Sequence, residues 1–242
     1  MKTGRLIGVG VGPGDPELMT LKAVRALGTA DVVAYFAKLG NGSHARAIAC
    51  GHFPPGVEEV GLGYPVTTEA HRHHAAYREA MGAFYEAAAA TLAAHLDRGR
   101  TVAVLSEGDP LFYGSYMHLH VRLAPRYPTE VVAGVTGMSG CWSLAGAPIA
   151  QGDDVLAVLP GTLEEDELAR RLSEADAAVI MKVGRNLPKI RRALERTGRL
   201  ERALYIERGT MEGGRCEPLA ARSEEPAPYF AIVLVPGWEV RR

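Results

Sequence analysis

The chain lacks most of the features that would place it at a glance. Its 242 residues include three cysteines, Cys50, Cys141 and Cys216. They are far apart, odd in number and form no Cys-x-x-Cys pair. That pattern argues against a disulfide framework or a zinc knuckle and predicts isolated thiols. No apolar run reaches the roughly 18 residues of a membrane span. The richest, residues 229–235, is strand-sized. No charged-then-apolar leader opens the chain, so a reducing cytoplasm is the expected location. Neither charge sign dominates: 27 Lys and Arg face 28 Asp and Glu, for a net charge of -1. A nucleic-acid partner, which calls for a basic stripe, is therefore not expected, nor is a membrane partner. No internal repeat and no low-complexity tail is visible.

What is present is ordinary for a folded protein. Apolar residues make up 47% of the chain, enough for a sizeable core. The length suits two domains of about 100–150 residues each. The first half alternates apolar runs with helical segments. Residues 5–10, 31–36, 57–62 and 101–105 read as strands. Asp15 and Pro16 open a helix, with Leu18, Leu21, Val24 and Leu27 continuing it on one face. Ser43 caps a short helix through Cys50. Residues 68–96 are alanine-rich and helical, and a helix over 116–123 closes this half. Pro125 and Pro128 bracket the expected linker, giving domains 1–124 and 129–242. In the second half, 130–133, 155–159, 178–182, 204–207 and 229–235 read as strands, the last two antiparallel. Thr162 and Glu165 have capping-box spacing, and Asn186 with Pro188 marks a further helix start. The expectation is two α/β domains with a cleft between them.

The glycine-rich stretch 8–15 (GVGVGPGD) is the first functional signal. A strand that ends in glycines before a helix often cradles a phosphate. The dinucleotide fingerprint needs glycine at the first, third and sixth places. Counted from Gly8 the sixth place is Pro13, and counted from Gly10 it is Asp15, so the register fails. No Gly-Lys-Ser/Thr triplet follows either. Asp15 would repel a phosphate. Either this is a tight turn, or it lines a ligand with little negative charge.

Four stretches resemble the signatures of one family. Gly10-Val11-Gly12-Pro13-Gly14-Asp15-Pro16, followed by residues 18–23, is similar to the opening motif of the class III methyltransferases, the tetrapyrrole methylases. Ser106-Glu107-Gly108-Asp109-Pro110, with Tyr113-Gly114 after it, resembles their second. Ala133-Gly134-Val135-Thr136-Gly137-Met138-Ser139 resembles their third, and Met181-Lys182-Val183-Gly184 their fourth. Each motif alone is weak. Together, in order and spacing across nearly the whole chain, they are specific. Residues 138–162, 34–37 and 64–67 are closest to the branch that methylates a bridging carbon of a corrinoid precursor.

The resemblance implies S-adenosylmethionine as donor, a sulfonium without phosphate, bound in the interdomain cleft. It implies donor contacts at Pro13, the backbone of Glu107, Gly108 and Asp109, and Phe112, Thr136, Gly137, Met181 and Gly209. The chemistry agrees, since glycines admit close backbone and apolar side chains cover an adenine. For Asp109 a turn aspartate before Pro110 stays open. For Met181 and Phe112 plain packing stays open. The implied acceptor is a reduced, metal-free tetrapyrrole with eight carboxylates. Phe36, Lys38, Tyr64, His71, Lys182 and Arg185 are the candidates to contact it. Solvated side chains are the alternative for the charged ones. Phe36 stands where members that methylate a uroporphyrinogen ring carry an aspartate, which leaves the catalytic base unassigned. His71, His73 and His74 lack nearby Asp or Cys, so no metal is expected. The resemblance also implies a homodimer. The competing classes are a sister methylase, a donor-binding sensor without enzyme activity, and a nicotinamide-dependent oxidoreductase.

Overall fold

The computed structural model describes residues 3–38, 42–65 and 75–237. The chain divides into two compact units, Met1–Thr136 and Gly137–Arg242. Among the described residues of the first, five parallel strands form one sheet in the order β3-β2-β4-β1-β5. They are β1 (Arg5–Gly10), β2 (Val32–Lys38), β3 (Glu58–Tyr64), β4 (Thr101–Ser106) and β5 (Thr129–Val132). The central strands are apolar throughout because both faces are covered. Alternation sorts their side chains. Leu6, Val32, Ala34, Val102 and Val104 pack on one face, with Leu92 of α3 (Ala75–Leu96) and Leu119 of α4 (Tyr116–Leu123). Ile7, Val9, Val33, Ala103 and Leu105 pack on the other, with Leu27 of α1 (Leu21–Leu27) and Ile48 of α2 (His44–Ala49).

This topology creates a switch point. From β1 the chain passes through α1 to β2, on one side. From β4 it passes through α4 to β5, on the other. The two helices lie on opposite faces, so beyond their first loop residues the chain leaves the adjacent strands β1 and β4 toward opposite sides of the sheet. In open parallel sheets that divergence leaves a crevice at the carboxyl ends of the strands, where ligands bind.

The second unit holds β6 (Leu156–Pro160), β7 (Ala177–Met181), β8 (Leu204–Glu207), β9 (Arg215–Pro218) and β10 (Ala231–Val235), in the order β6-β7-β10-β8-β9. β6 and β7 are parallel, β10 runs antiparallel to β7 and β8, and β9 is antiparallel to β8. One face is covered by α6 (Glu165–Glu174) and α7 (Leu187–Arg196), through Leu168, Leu172, Ile190 and Leu194. The other is covered by α5 (Gly137–Ala145), through Cys141 with Met138 and Trp142.

Three expectations are corrected. The division does not fall at 125–128, because β5 pairs with β1 and completes the first sheet. The helix from Asp15 is two pieces. Asp15 caps a 3₁₀ turn, Pro16–Leu18, and Thr20 caps α1 separately. The extended residues Met19 and Thr20 reset the helical phase, so Met19, Ala23 and Leu27 are buried while Leu21 is 77% exposed. Thr162 does not cap α6, which begins later, with Glu164 at its N-cap position.

Candidate functional site

Three loops meet at the switch point of the first unit. The loop after β1 and the loop after β4 are joined backbone to backbone. The Gly108 amide donates to the Gly12 carbonyl at 2.8 Å, and the Val11 amide to the Ser106 carbonyl at 2.9 Å. The loop after β5 is tied in by Asp109. Its carboxylate accepts from the Gly134 amide at 3.1 Å and from the Leu111 amide at 2.9 Å. The second of these is the turn bond expected before a proline-led loop. Asp109 thus links the second and third signatures, a role that spacing alone does not reveal.

The glycines of the first motif separate by physical cause. Gly8 makes room for a buried ring: a Cβ there would lie 2.3 Å from the Tyr116 ring. Gly10 and Gly134 sit where backbones touch. A Cβ on Gly134 would come within 2.0 Å of the Gly108 carbonyl oxygen, and one on Gly10 within 2.6 Å of the Gly134 nitrogen. No side chain fits this junction. Pro13 is partly buried in the first loop and Thr136 partly buried at the end of the third. Phe112 is partly buried and meets Tyr113 edge-on at 4.9 Å.

The loops over residues 10–15 and 106–114 carry Asp15, Glu107 and Asp109 and no Lys or Arg. Glu107 is exposed to solvent, though protein atoms crowd around it. Burial raises its carboxyl above the ordinary range, offset in part by His44 and the Ala45 amide. Such a rim disfavours a phosphate. It accommodates a cationic sulfonium with an ammonium tail, so the residues present fit the donor implied by the sequence.

A second group lies at the carboxyl ends of β2 and β3. Phe36 and Tyr64 stack with centroids 5.5 Å apart and planes 15° apart. Lys38 is the register partner of Tyr64. Phe84 and Tyr85 complete the cluster, and the Tyr85 ring stacks on His118 at 4.1 Å. The Tyr64 and Tyr85 hydroxyls both meet Ser115 Oγ, at 2.5 and 3.2 Å. Burial pushes the Tyr85 phenol up and, with Arg122, pushes His118 down. Sequence reasoning missed Phe84, Tyr85, Ser115 and His118. An adjacent aromatic pair inside an alanine-rich helix was the available signal. His71, His73 and His74 lie outside the described residues.

In the second unit, Met181 ends β7 and packs against the same buried apolar cluster as Met138 and Trp142. Its carbonyl accepts from the Gly161 amide at 2.6 Å. Lys182 follows with a left-handed φ of 58°. Arg185 is exposed, two residues before the start of α7. Gly209 lies just beyond β8, and a Cβ there would be 2.6 Å from Cys141 Sγ. Burial pushes the Cys141 thiol up to about 11, so it is an unreactive packing group. Gly137 opens α5 with open space around it. Among the described residues no three His, Cys, Asp or Glu side chains gather as a metal site requires. No described helix is long and apolar enough to cross a membrane.

Residues 5–220 match the family model for tetrapyrrole (corrin/porphyrin) methylases. The chain belongs to this family, and its two α/β sheets have the class III methyltransferase architecture. Over 238 residues it is 64% identical to a precorrin-2 C(20)-methyltransferase from Sinorhizobium sp, covering 98% of this chain and 97% of that protein. It is 30% identical to the cobalt-precorrin-2 C(20)-methyltransferase of Salmonella typhimurium, covering 98% of each. The crystal structure of uroporphyrin-III C-methyltransferase from Thermus thermophilus, complexed with S-adenyl homocysteine, superposes with a TM-score of 0.66 at 26% identity, covering 96% of each chain.

Proposed function

We propose that this chain is an S-adenosylmethionine-dependent C-methyltransferase. It converts precorrin-2 to precorrin-3A by methylating C-20, the bridge between the first and last rings, in cobalamin biosynthesis. The observation that carries this reading is 64% identity along 98% of the chain to a protein named for that reaction.

When bound, the donor supplies an electrophilic methyl group on sulfur. Pro13, the backbone of Glu107, Gly108 and Asp109, and Phe112, Thr136 and Gly137 would hold it, with Met181 and Gly209 against the adenine. Glycine junctions let backbone amides and carbonyls approach closely. Phe36, Lys38, Tyr64, His71, Lys182 and Arg185 would hold the tetrapyrrole, the cations against its carboxylates. The C-20 carbon is enamine-like and already nucleophilic. The residues' main task is to align it with the methyl group and exclude water, which can supply most of the acceleration. The chain works as a cytoplasmic homodimer in this reading.

A second reading takes the cobalt-loaded substrate. It is supported by the Salmonella relative, at the lower identity of 30%. Incubation with carbon-13-methyl donor and either precorrin-2 or its cobalt form, followed by carbon NMR, decides between them. The expected result is label on C-20 of the metal-free substrate. Label on a ring β-carbon overturns the proposal, and turnover of the cobalt form alone selects the second reading.

A further inference from the structure

We infer that Glu207 is a positioning residue for the donor: its carboxylate holds the turn after β8 in a strained shape that presents the Gly209 backbone to the adenine. This deepens the reading just proposed and rests on it, since Gly209 lies against the adenine in that reading.

The turn cannot hold itself. Gly209 is flanked by two residues in the left-handed region, Arg208 at φ 48° and Thr210 at φ 72°. That region is unfavourable for any residue with a Cβ, and most of all for a β-branched one. Such angles persist only where contacts from outside the turn impose them.

Those contacts grip the turn from both faces of the sheet. Tyr205 packs in the core beneath α6 and α7, and Ile206 in the core beneath α5. Alternation returns Glu207 to the side of Tyr205. There Glu207 is buried at the last register pair of the hairpin, opposite Arg215. Its two oxygens accept from Arg215 Nε and Nη2, each at 2.8 Å. The Tyr205 hydroxyl donates to one of them, and Arg222 lies 3.8 Å from the same oxygen. On the other side Gly209 presses on α5, where a Cβ would lie 3.0 Å from the Cys141 Cα. Between the two, the Arg208 amide donates to the Phe230 carbonyl at 2.9 Å, and the Arg208 carbonyl accepts from the Met211 amide at 2.8 Å.

A buried carboxylate is a costly way to close a hairpin. An apolar pair would close it without taking a charge out of water. What the forked bond to Arg215 adds is direction. It fixes the carboxylate, and with it the backbone from which the strained residues depart. The placement suits a donor-side role. Gly137 opens α5, Gly209 touches Cys141 of α5, and Met181 packs against the cluster that contains Cys141. The three residues of the second unit given to the donor above thus share one neighbour. Gly209 alone of the three sits on a turn that needs holding.

The rival is a plain structural tie between β8 and β9. Full-length Glu207→Gln, Arg215→Ala, Arg215→Lys, the Glu207→Gln/Arg215→Ala double variant and the core variant Leu172→Ala separate the two. The readouts are S-adenosylhomocysteine affinity by calorimetry, Tm, and KM for S-adenosylmethionine and for precorrin-2, each taken well below the lowest Tm. Glu207→Gln and Arg215→Ala should each weaken S-adenosylhomocysteine about ten-fold, the loss of roughly one hydrogen bond to the ligand. KM for S-adenosylmethionine should rise with it, and KM for precorrin-2 should not. Arg215→Lys, which keeps the charge and loses the fork, should fall between wild type and Arg215→Ala. The double variant should be no worse than the weaker-binding single. Leu172→Ala removes a fully buried side chain of α6. It should lower Tm at least as far and leave the affinity unchanged. The Arg215 side chain is half exposed, so its variants decide the matter if Glu207→Gln does not fold. Unchanged affinity in the Glu207 and Arg215 variants, or an equal loss in Leu172→Ala, overturns this inference alone. A wild-type protein that does not bind S-adenosylhomocysteine overturns the functional reading and this inference with it.

Discussion

At the carboxyl ends of β1, β4 and β5, in the first half, the loops cross on bare backbone. Gly10 and Gly134 meet beside the Gly108 carbonyl, where a Cβ on either would strike main-chain atoms. At the ends of β7 and β8, in the second half, side chains are retained at backbone angles that favour glycine. Lys182 has φ 58°, Arg208 φ 48° and Thr210 φ 72°. The last is a β-branched residue, for which this region is a genuine outlier. The contrast separates two demands. Glycine is needed where two stretches of main chain must touch. A strained residue persists where the side chain is wanted and the surrounding structure can hold it. The two halves also differ in charge. Beneath its strained turn the second buries Glu207 against Arg215, Arg222 and Tyr205. The loop junction of the first half uses backbone partners and one carboxylate, Asp109.

The largest expected effect breaks the first half's device. Gly134→Ala should destabilise the protein by about 3–5 kcal/mol, because the methyl has no space among main-chain atoms. Gly137→Ala, three residues on and in open space, should change stability by about 0.5 kcal/mol or less. It should weaken donor binding if Gly137 touches the donor. Chemical denaturation with donor calorimetry on both variants checks this. Equal stability losses at the two positions would dissolve the contrast.

Next is the acid limb of the second half. The bond from Arg215, with Tyr205 and Arg222 nearby, holds the Glu207 carboxyl below its usual range. A depressed carboxyl contributes stability that is present above the unfolded value, about 4.3, and is lost as pH falls toward the folded one. Glu207→Gln should therefore be less stable than wild type at pH 7, by about 1.5–3 kcal/mol for a lost charged partner. The gap should close as pH drops through about 4. Denaturant midpoints of both proteins across that window test it, and a pH-independent gap would refute the assignment.

The smallest effect sharpens the comparison. Glycine at Lys182 relieves left-handed strain of about 1–2 kcal/mol. Lys182→Gly should therefore be more stable than Lys182→Ala by roughly that amount. Both variants should bind the tetrapyrrole equally weakly, and donor binding should be spared. A glycine variant no more stable than alanine means the strain is not there. Unimpaired tetrapyrrole binding means the lysine is retained for another reason.

Much of the fold could be read from residue pattern. β1, β8 and α4 fall where periodicity puts them, and β2, β3, β4, β6 and β10 within one or two residues. The failed dinucleotide register and the four signatures correctly pointed to the methylase family. What escaped was whatever depended on a distant partner. Residues 129–132 read as the opening of the second half because two prolines precede them. Pairing with β1, more than a hundred residues earlier, assigns them to the first sheet. The helix face at Leu18 and Leu21 was misread because the extended break at Met19 and Thr20 leaves no periodic trace. Phe84 and Tyr85 sat unnoticed in an alanine-rich helix.

Local chemistry determined the strands, the caps at Asp15 and Ser43, the backbone-exposing glycines and the family. All of these depend on neighbours within a few residues or on a linear motif. Only the tertiary structure decided which glycine serves which purpose: Gly8 for the Tyr116 ring, Gly10 and Gly134 for the crossing of three loops. It also turned Asp109 from a turn residue into the link between two signatures, and it seated the Ser115 hydroxyl between those of Tyr64 and Tyr85. The physical reason is common to these cases. Steric exclusion and hydrogen-bond partnership act through space, and a side chain with several possible partners takes the one that packing brings within reach.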